Sequence, residues 1–147
     1  MFKTVDIASG ALIVVLFILV IIFGKKTRKY NTKSYQRKWD KIKKQCQDKK
    51  LWQKALIDAD SLLDHALKHG KFKGKSEGER LVSAQRNFSS NDSVWLSHKL
   101  TNKIREDGIK KLTKKQTIEA LASFHLALKD IGALKSVNGV KTKNAKK

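Results

Sequence analysis

The chain has 147 residues, with 33 Lys and Arg against 13 Asp and Glu for a formal net charge of +20, and it contains no Pro and a single Cys. One Cys excludes an intramolecular disulfide and a Cys-rich zinc site, and the length suits one domain rather than a multidomain enzyme. The charge is uneven: residues 25–50 hold 12 basic and 2 acidic residues, residues 51–134 hold 15 and 10, and residues 135–147 hold 5 and none.

From Ile7 to Phe23 the sequence reads IASGALIVVLFILVIIF, without a charged residue. As a helix this run is about 25 Å long, close to the ~30 Å hydrocarbon core of a bilayer. A cleaved signal peptide needs a basic leader and small residues at its cleavage site. Only Lys3 precedes this run, and Ile22-Phe23-Gly24-Lys25-Lys26 ends it. Residues 7–24 are therefore expected to form an uncleaved single-pass transmembrane helix. Basic flanks stay cytoplasmic, which places residues 1–6 outside the inner (plasma) membrane and the rest in the cytoplasm. A reduced Cys46 fits that compartment.

Residues 25–50 are expected to form a basic juxtamembrane helix. Anionic headgroups attract cations beside a membrane helix, and aromatic rings favour the interface. The expected lipid contacts are Lys25, Lys26, Arg28, Lys29, Tyr30, Lys33, Arg37 and Lys38. The same cations, with Tyr30, Tyr35 and Trp39 interleaved, also suit single-stranded RNA through phosphates and stacking. Position beside the anchor favours lipid.

Trp39, Ile42, Cys46, then Trp52, Leu56, Ala59, Leu62, Leu63, Ala66 and Leu67 recur at helical spacing, with polar residues at 47–50 marking a bend. Asp58, Asp60 and Asp64 are read as the solvated face, and Gly70 as a left-handed stop. Ser76 and Glu79 form a capping-box pattern before a short helix. Asp92 or Ser93 caps the next helix, with Val94, Trp95, Leu96, Leu100 and Ile104 as its buried side and Gly108 as its end. Thr113 and Gln116 open the last helix, carried on Ile118, Leu121, Phe124, Leu128 and Ile131 and stopped by Gly132. Residues 135–147 read as a basic disordered tail. No stretch alternates as a strand does. The expected fold is all-α: one N-terminal transmembrane helix, then a four-helix soluble bundle over residues 51–134, for which dimerisation would add buried area.

The helix WQKALIDADSLLDHALKHG (52–70), then SEGERL (76–81), VWLSHKLTNKIREDG (94–108) and LALKDIGAL (126–134), resembles small bacterial HEPN-like helical proteins, whose segments read like A-D-x-L-L-D…G-E-R-L…W-x-A-H-K-x-R-N-x-I-A-H-E. The resemblance implies an up-and-down helical bundle, often dimeric, in a family whose active members are metal-independent ribonucleases with an Arg-x4–6-His signature. That chemistry needs His for proton transfer and Arg for the charged transition state. Here Asn102 fits the pattern, but Thr101 stands at the Arg position and Glu106 at the His position. Arg105 lies four residues late and His98 precedes the motif. The resemblance therefore implies a member without the catalytic pair.

Elsewhere the chemistry is thin. His65 and His69 lie four apart without a clear third metal ligand, and His125 reads as packing. Cys46 among lysines suits a lowered-pKa thiol, yet no His–Asp set accompanies it. Gly70, Gly74 and Gly78 do not form a phosphate loop. No catalytic residue, metal or cofactor is expected. The expected function is a non-catalytic interaction or scaffold module on a membrane anchor. Its expected partners are anionic lipid and a protein partner or second copy. A membrane-tethered RNA-binding protein is the alternative, and a ribonuclease using His98 and Arg105 stands further off.

Overall fold

The three- and four-residue spacing of apolar positions is realised as six α-helices and no strand among the described residues. The computed structural model describes residues 7–24, 29–108 and 111–136, with side chains of the first helix described for residues 10–19. The helices are α1 (Ile7–Gly24), α2 (Thr32–Gln45), α3 (Trp52–His69), α4 (Glu77–Ala84), α5 (Asn91–Asp107) and α6 (Lys114–Asp130). Lys25, Lys26 and Arg28, the N-terminal six residues and the tail from 137 onward lie outside the described residues.

The core is built on α3, which packs against α2, α4, α5 and α6. Its stripe Ala55, Leu56, Ala59, Leu63, Ala66 and Leu67 is fully buried. The alanines let neighbouring helices approach closely, and Phe124 and Leu128 of α6 fill the space opposite. Truncating one of these large side chains leaves a cavity at a cost of about 2–5 kcal/mol.

The basic segment expected beside the anchor forms α2, and this helix packs into the core. Tyr35, Trp39 and Ile42 of α2 are buried, and Trp39 stacks on His125 of α6 at 5.0 Å between ring centres. Among the described residues the bundle thus has five helices, α2 to α6, one more than the sequence pattern suggests. The expected bend is a 3-10 turn, Lys49–Leu51, which folds α2 back onto α3; Asp48 caps it by accepting from Lys50 N.

The helix ends follow the expected chemistry in part. Thr113 and Gln116 form the full capping box. Ser76 caps α4, but Glu79 turns its carboxylate to Lys75 N instead of Ser76 N. Ser90, not Asp92 or Ser93, is the N-cap of α5, without a side-chain bond. Gly132 (φ 87°) ends α6 in a Schellman turn, Ala133 N donating to Leu128 O and Gly132 N to Lys129 O. The same turn ends α3, displaced by one residue. Gly70 stays helical at φ −72°, and Lys71 takes the left-handed conformation at φ 56° because the helix runs one residue further.

The inward stripe of α5 is also rotated from expectation. Val94, Ser97, His98, Thr101 and Ile104 are buried, whereas Leu96 is 68% exposed. A stripe that is polar through its middle does not register as apolar periodicity, so Leu96 drew the expected face outward. Ile118 of α6 is likewise exposed.

Candidate functional site

A polar cluster lies where α3, α4 and α5 meet. Asp60 sits midway along α3, one turn from Leu56 and one from Leu63, and is fully buried. His98, Asn102 and Arg105 recur at intervals of four and three, so α5 presents them on one face. Glu77, the first residue of α4, closes the cluster.

A buried carboxylate requires partners, because desolvating an unpaired charge costs far more than a neutral contact returns. Asp60 Oδ2 accepts from Arg105 Nη1 at 2.7 Å, and Oδ1 lies 3.0 Å from His98 Nδ1. Arg105 Nη1 also donates to Asn102 Oδ1 at 3.1 Å, and Nη2 donates to Ser61 Oγ at 3.2 Å. With its oxygen so engaged, Asn102 points its amide nitrogen at His98 Nε2, 3.1 Å away. The network makes Nε2 the acceptor and Nδ1 the donor to Asp60.

Glu77 lies 3.6 Å from His98 Nδ1 and 4.0 Å from Arg105 Nη1. Its Oε1 is buried with no hydrogen-bond partner. Burial, then the charge of Asp60, push its pKa up to about 8. A proton held on Glu77 supplies the donor that Oε1 lacks and directs it at Asp60. The hydrogen bond to Asp60 raises the pKa of His98, against the opposing effect of burial.

Chemically, the cluster is closed on itself. His98 is 6% exposed and both ring nitrogens are engaged, so it offers no free base. Asp60, Glu77 and His98 do bring three possible metal-ligand atoms within 4.8 Å of one another. Yet the Arg105 guanidinium already supplies the positive charge there, and a cation would compete with it for Asp60. The arrangement suits a tie between three helices better than a reaction centre.

Beside it, Asp64 accepts from Arg80 Nε at 2.6 Å and pairs with Lys68 at 2.8 Å. Burial pushes Asp64 up, but Arg80 and Lys68 outweigh it and hold the carboxyl below its ordinary range. Arg80 Nη1 also donates to Gly74 O. Gly74 has φ 149°, and a Cβ there would lie 2.6 Å from Arg80 N, so only glycine lets this loop pass so close to α4.

Of the motif residues singled out in the sequence, His98, Asn102 and Arg105 come together and two do not. Thr101 is fully buried and donates to Ser97 O on its own helix, and Glu106 is exposed outside the cluster. Asp60 and Asp64, expected on a solvated face, are buried, and Glu77 joins the cluster from the start of α4 with no sequence motif to mark it. The signal for Asp60 was its register: it falls on the same stripe as Leu56 and Leu63.

The basic flank is corrected as well. Lys29, Lys33, Arg37 and Lys38 are exposed, but Tyr30 is not a lipid contact. It is 8% exposed, and its hydroxyl donates to Ala66 O at 3.0 Å. With Tyr35 and Trp39 also buried, the flank keeps cations and loses its aromatics as interface or stacking groups. The two histidines of α3 face separate partners. His65 Nδ1 meets the Tyr35 hydroxyl at 3.0 Å, and His69 Nε2 lies 3.3 Å from Lys29 O. Burial pushes the Cys46 thiol up, opposite to a reactive thiolate, and its Sγ donates to Ile42 O.

The chain matches no family model, no curated protein and no solved structure. The resemblance to HEPN-like proteins receives no support from these comparisons. Counted over described residues alone, no helix is long and apolar enough to cross a membrane. For α1 those side chains are residues 10–19 of a helix of 18.

Proposed function

We propose that the protein is a single-pass membrane protein whose α1 anchors a non-catalytic helical bundle at the cytoplasmic face, where the bundle serves as an interaction module. One observation carries the reading: the large apolar side chains Leu12 to Leu19 are all exposed, around the whole circumference of α1. Water does not tolerate a contiguous apolar surface of that kind, and lipid does. The full helix, Ile7–Gly24, has no ionisable residue and spans about 27 Å at 1.5 Å per residue, which suits a bilayer core. The cations that follow orient the bundle inward.

The non-catalytic part rests on the closed cluster, in which His98 and Arg105 spend their hydrogen-bonding atoms on each other's neighbours. It also agrees with a HEPN-like bundle lacking its Arg–His pair. Exposed Leu96 and Leu126 border a groove of about 730 Å³ between α5 and α6, which gives the bundle apolar surface for contact. Burial of Tyr30, Tyr35 and Trp39 removes the rings that an RNA strand would stack on.

Alkaline extraction of membranes from cells expressing the full chain, followed by protease treatment of sealed vesicles of both orientations, tests this. The expected outcome is retention in the pellet and digestion of the bundle only in inverted vesicles. Release into the alkaline supernatant removes the anchor. Digestion in right-side-out vesicles reverses the orientation.

A further inference from the structure

Thr32, Lys33, Gln36 and Arg37 of α2, together with Lys135, line a cleft of about 300 Å³. Lys33 and Arg37 lie one turn apart on α2, and Lys135 is brought to them by the Schellman turn at Gly132 and by burial of Ala133 and Leu134. All three cations are exposed, and none takes part in an ion pair among the described residues. The one acid of α2, Asp40, is taken up by Gln36 and Lys43. Three like charges gathered without a counter-charge repel one another, and an anion between them reverses that cost. Arg37 supplies a planar fork that matches phosphate oxygens, the two lysines supply point charges, and the Thr32 hydroxyl adds a neutral donor.

The position of the cleft names the anion. Tyr30 is buried in the bundle only six residues after Gly24, the last residue of α1, and six residues span at most about 20 Å of extended chain. The end of the bundle that carries Thr32 is therefore tethered close to the end of α1. We propose that this cleft seats the phosphate of an anionic lipid headgroup from the leaflet that α1 enters, fixing how the bundle stands on the membrane. The proposal rests on the membrane reading above and adds to it one site, one ligand class and a contribution from Lys135 near the far end of the chain.

The test uses the full chain reconstituted into phosphatidylcholine vesicles containing phosphatidylglycerol, with a photoactivatable group on the phosphatidylglycerol headgroup. Crosslinks are expected to map to α2 and the residues around Lys135. Lys33→Ala, Arg37→Ala and Lys135→Ala should each lower the yield about fivefold, the contribution of one cation at an anionic surface. Lys99→Ala and Lys103→Ala on α5 should leave it unchanged. Equal yields from a phosphatidylcholine probe, or full yield in the cleft variants, overturn the site while alkaline-resistant association leaves the anchor standing. Loss of the crosslink to added inorganic phosphate at the lipid's own concentration reassigns the cleft to free phosphate. Extraction of the unmodified protein at alkaline pH overturns the anchor and this proposal with it.

Discussion

Asn102 Nδ2 lies 3.1 Å from Nε2 of His98, and that contact sets which nitrogen of a buried imidazole carries the proton. Arg105 holds the amide oxygen, so the amide cannot turn to accept from a protonated ring without giving up the guanidinium. Asp60 draws the His98 pKa upward against burial, and a donor aimed at Nε2 favours the neutral ring. Asn102→Ala is therefore expected to raise the His98 pKa further and to release the Nδ1–H tautomer. Imidazole nitrogen shifts followed by NMR across the titration measure both. A pKa that stays still or falls would falsify this assignment of the network.

Glu77 makes the stability of the bundle depend on pH in the direction opposite to most carboxylates. Its pKa is raised from an ordinary value near 4.5 to about 8, so the folded state binds the extra proton across that window. Stability then falls as pH rises from about 4.5 to 8, because deprotonation favours the unfolded chain. His98, also raised, adds a loss in the same direction as pH passes its folded value. Asp64, held below its ordinary range, acts only at lower pH. Glu77→Gln keeps a neutral donor toward Asp60 and removes the titration. Its melting temperature should lose less between pH 5 and pH 9 than the parent's, by about 1–2 kcal/mol or on the order of 5 °C after allowance for solvent screening and coupling. Parallel pH profiles for the two proteins would count against a proton on Glu77.

The helices were legible in the sequence because their apolar positions repeat and their ends carry recognisable caps: Thr113 with Gln116, Gly108 and Gly132 all sit where the pattern put them. The site was legible only on α5, where His98, Asn102 and Arg105 share a face. Asp60 escaped because acidic residues ordinarily mark the wet side of a helix. A buried carboxylate becomes intelligible only when the donors that satisfy it, on a helix 38 and 45 residues away, are seen beside it. Tyr30 escaped for the converse reason. Its sequence surroundings are basic, with Arg28, Lys29 and Lys33 nearby, and its partner, the carbonyl of Ala66, is supplied by another helix.

Arg80 and Asp64 form the second buried pair, and its removal should be asymmetric. Arg80 Nε lies 2.6 Å from Asp64 Oδ1 with both side chains largely excluded from water. Arg80→Ala leaves Asp64 with only the exposed Lys68 and frees Gly74 O, at an expected cost of about 3–5 kcal/mol. Replacing both partners, Arg80→Met with Asp64→Leu, removes the uncompensated charge and should recover much of that loss. Denaturant midpoints for the parent, Arg80→Ala and the double variant make the comparison. A double variant no more stable than Arg80→Ala would show that packing, and not charge compensation, is what Arg80 supplies.

Tyr30 fixes the chain that precedes α2 to the bundle. Its hydroxyl donates to Ala66 O, its ring meets Tyr35 edge-on at 5.7 Å and His69 at 5.4 Å, and Gly132 passes close to its edge. Tyr30→Phe removes only the hydrogen bond and should cost about 1 kcal/mol. Tyr30→Ala empties the site, at about 3 kcal/mol or more, and releases the peptide bond after Lys29 from the bundle surface. Limited trypsin digestion of the full chain should then cut at Lys29 and Lys33 much faster in Tyr30→Ala, slightly faster in Tyr30→Phe, and at the parental rate in Lys99→Ala. Equal cleavage rates at Lys29 in parent and Tyr30→Ala would mean that some other contact holds the segment.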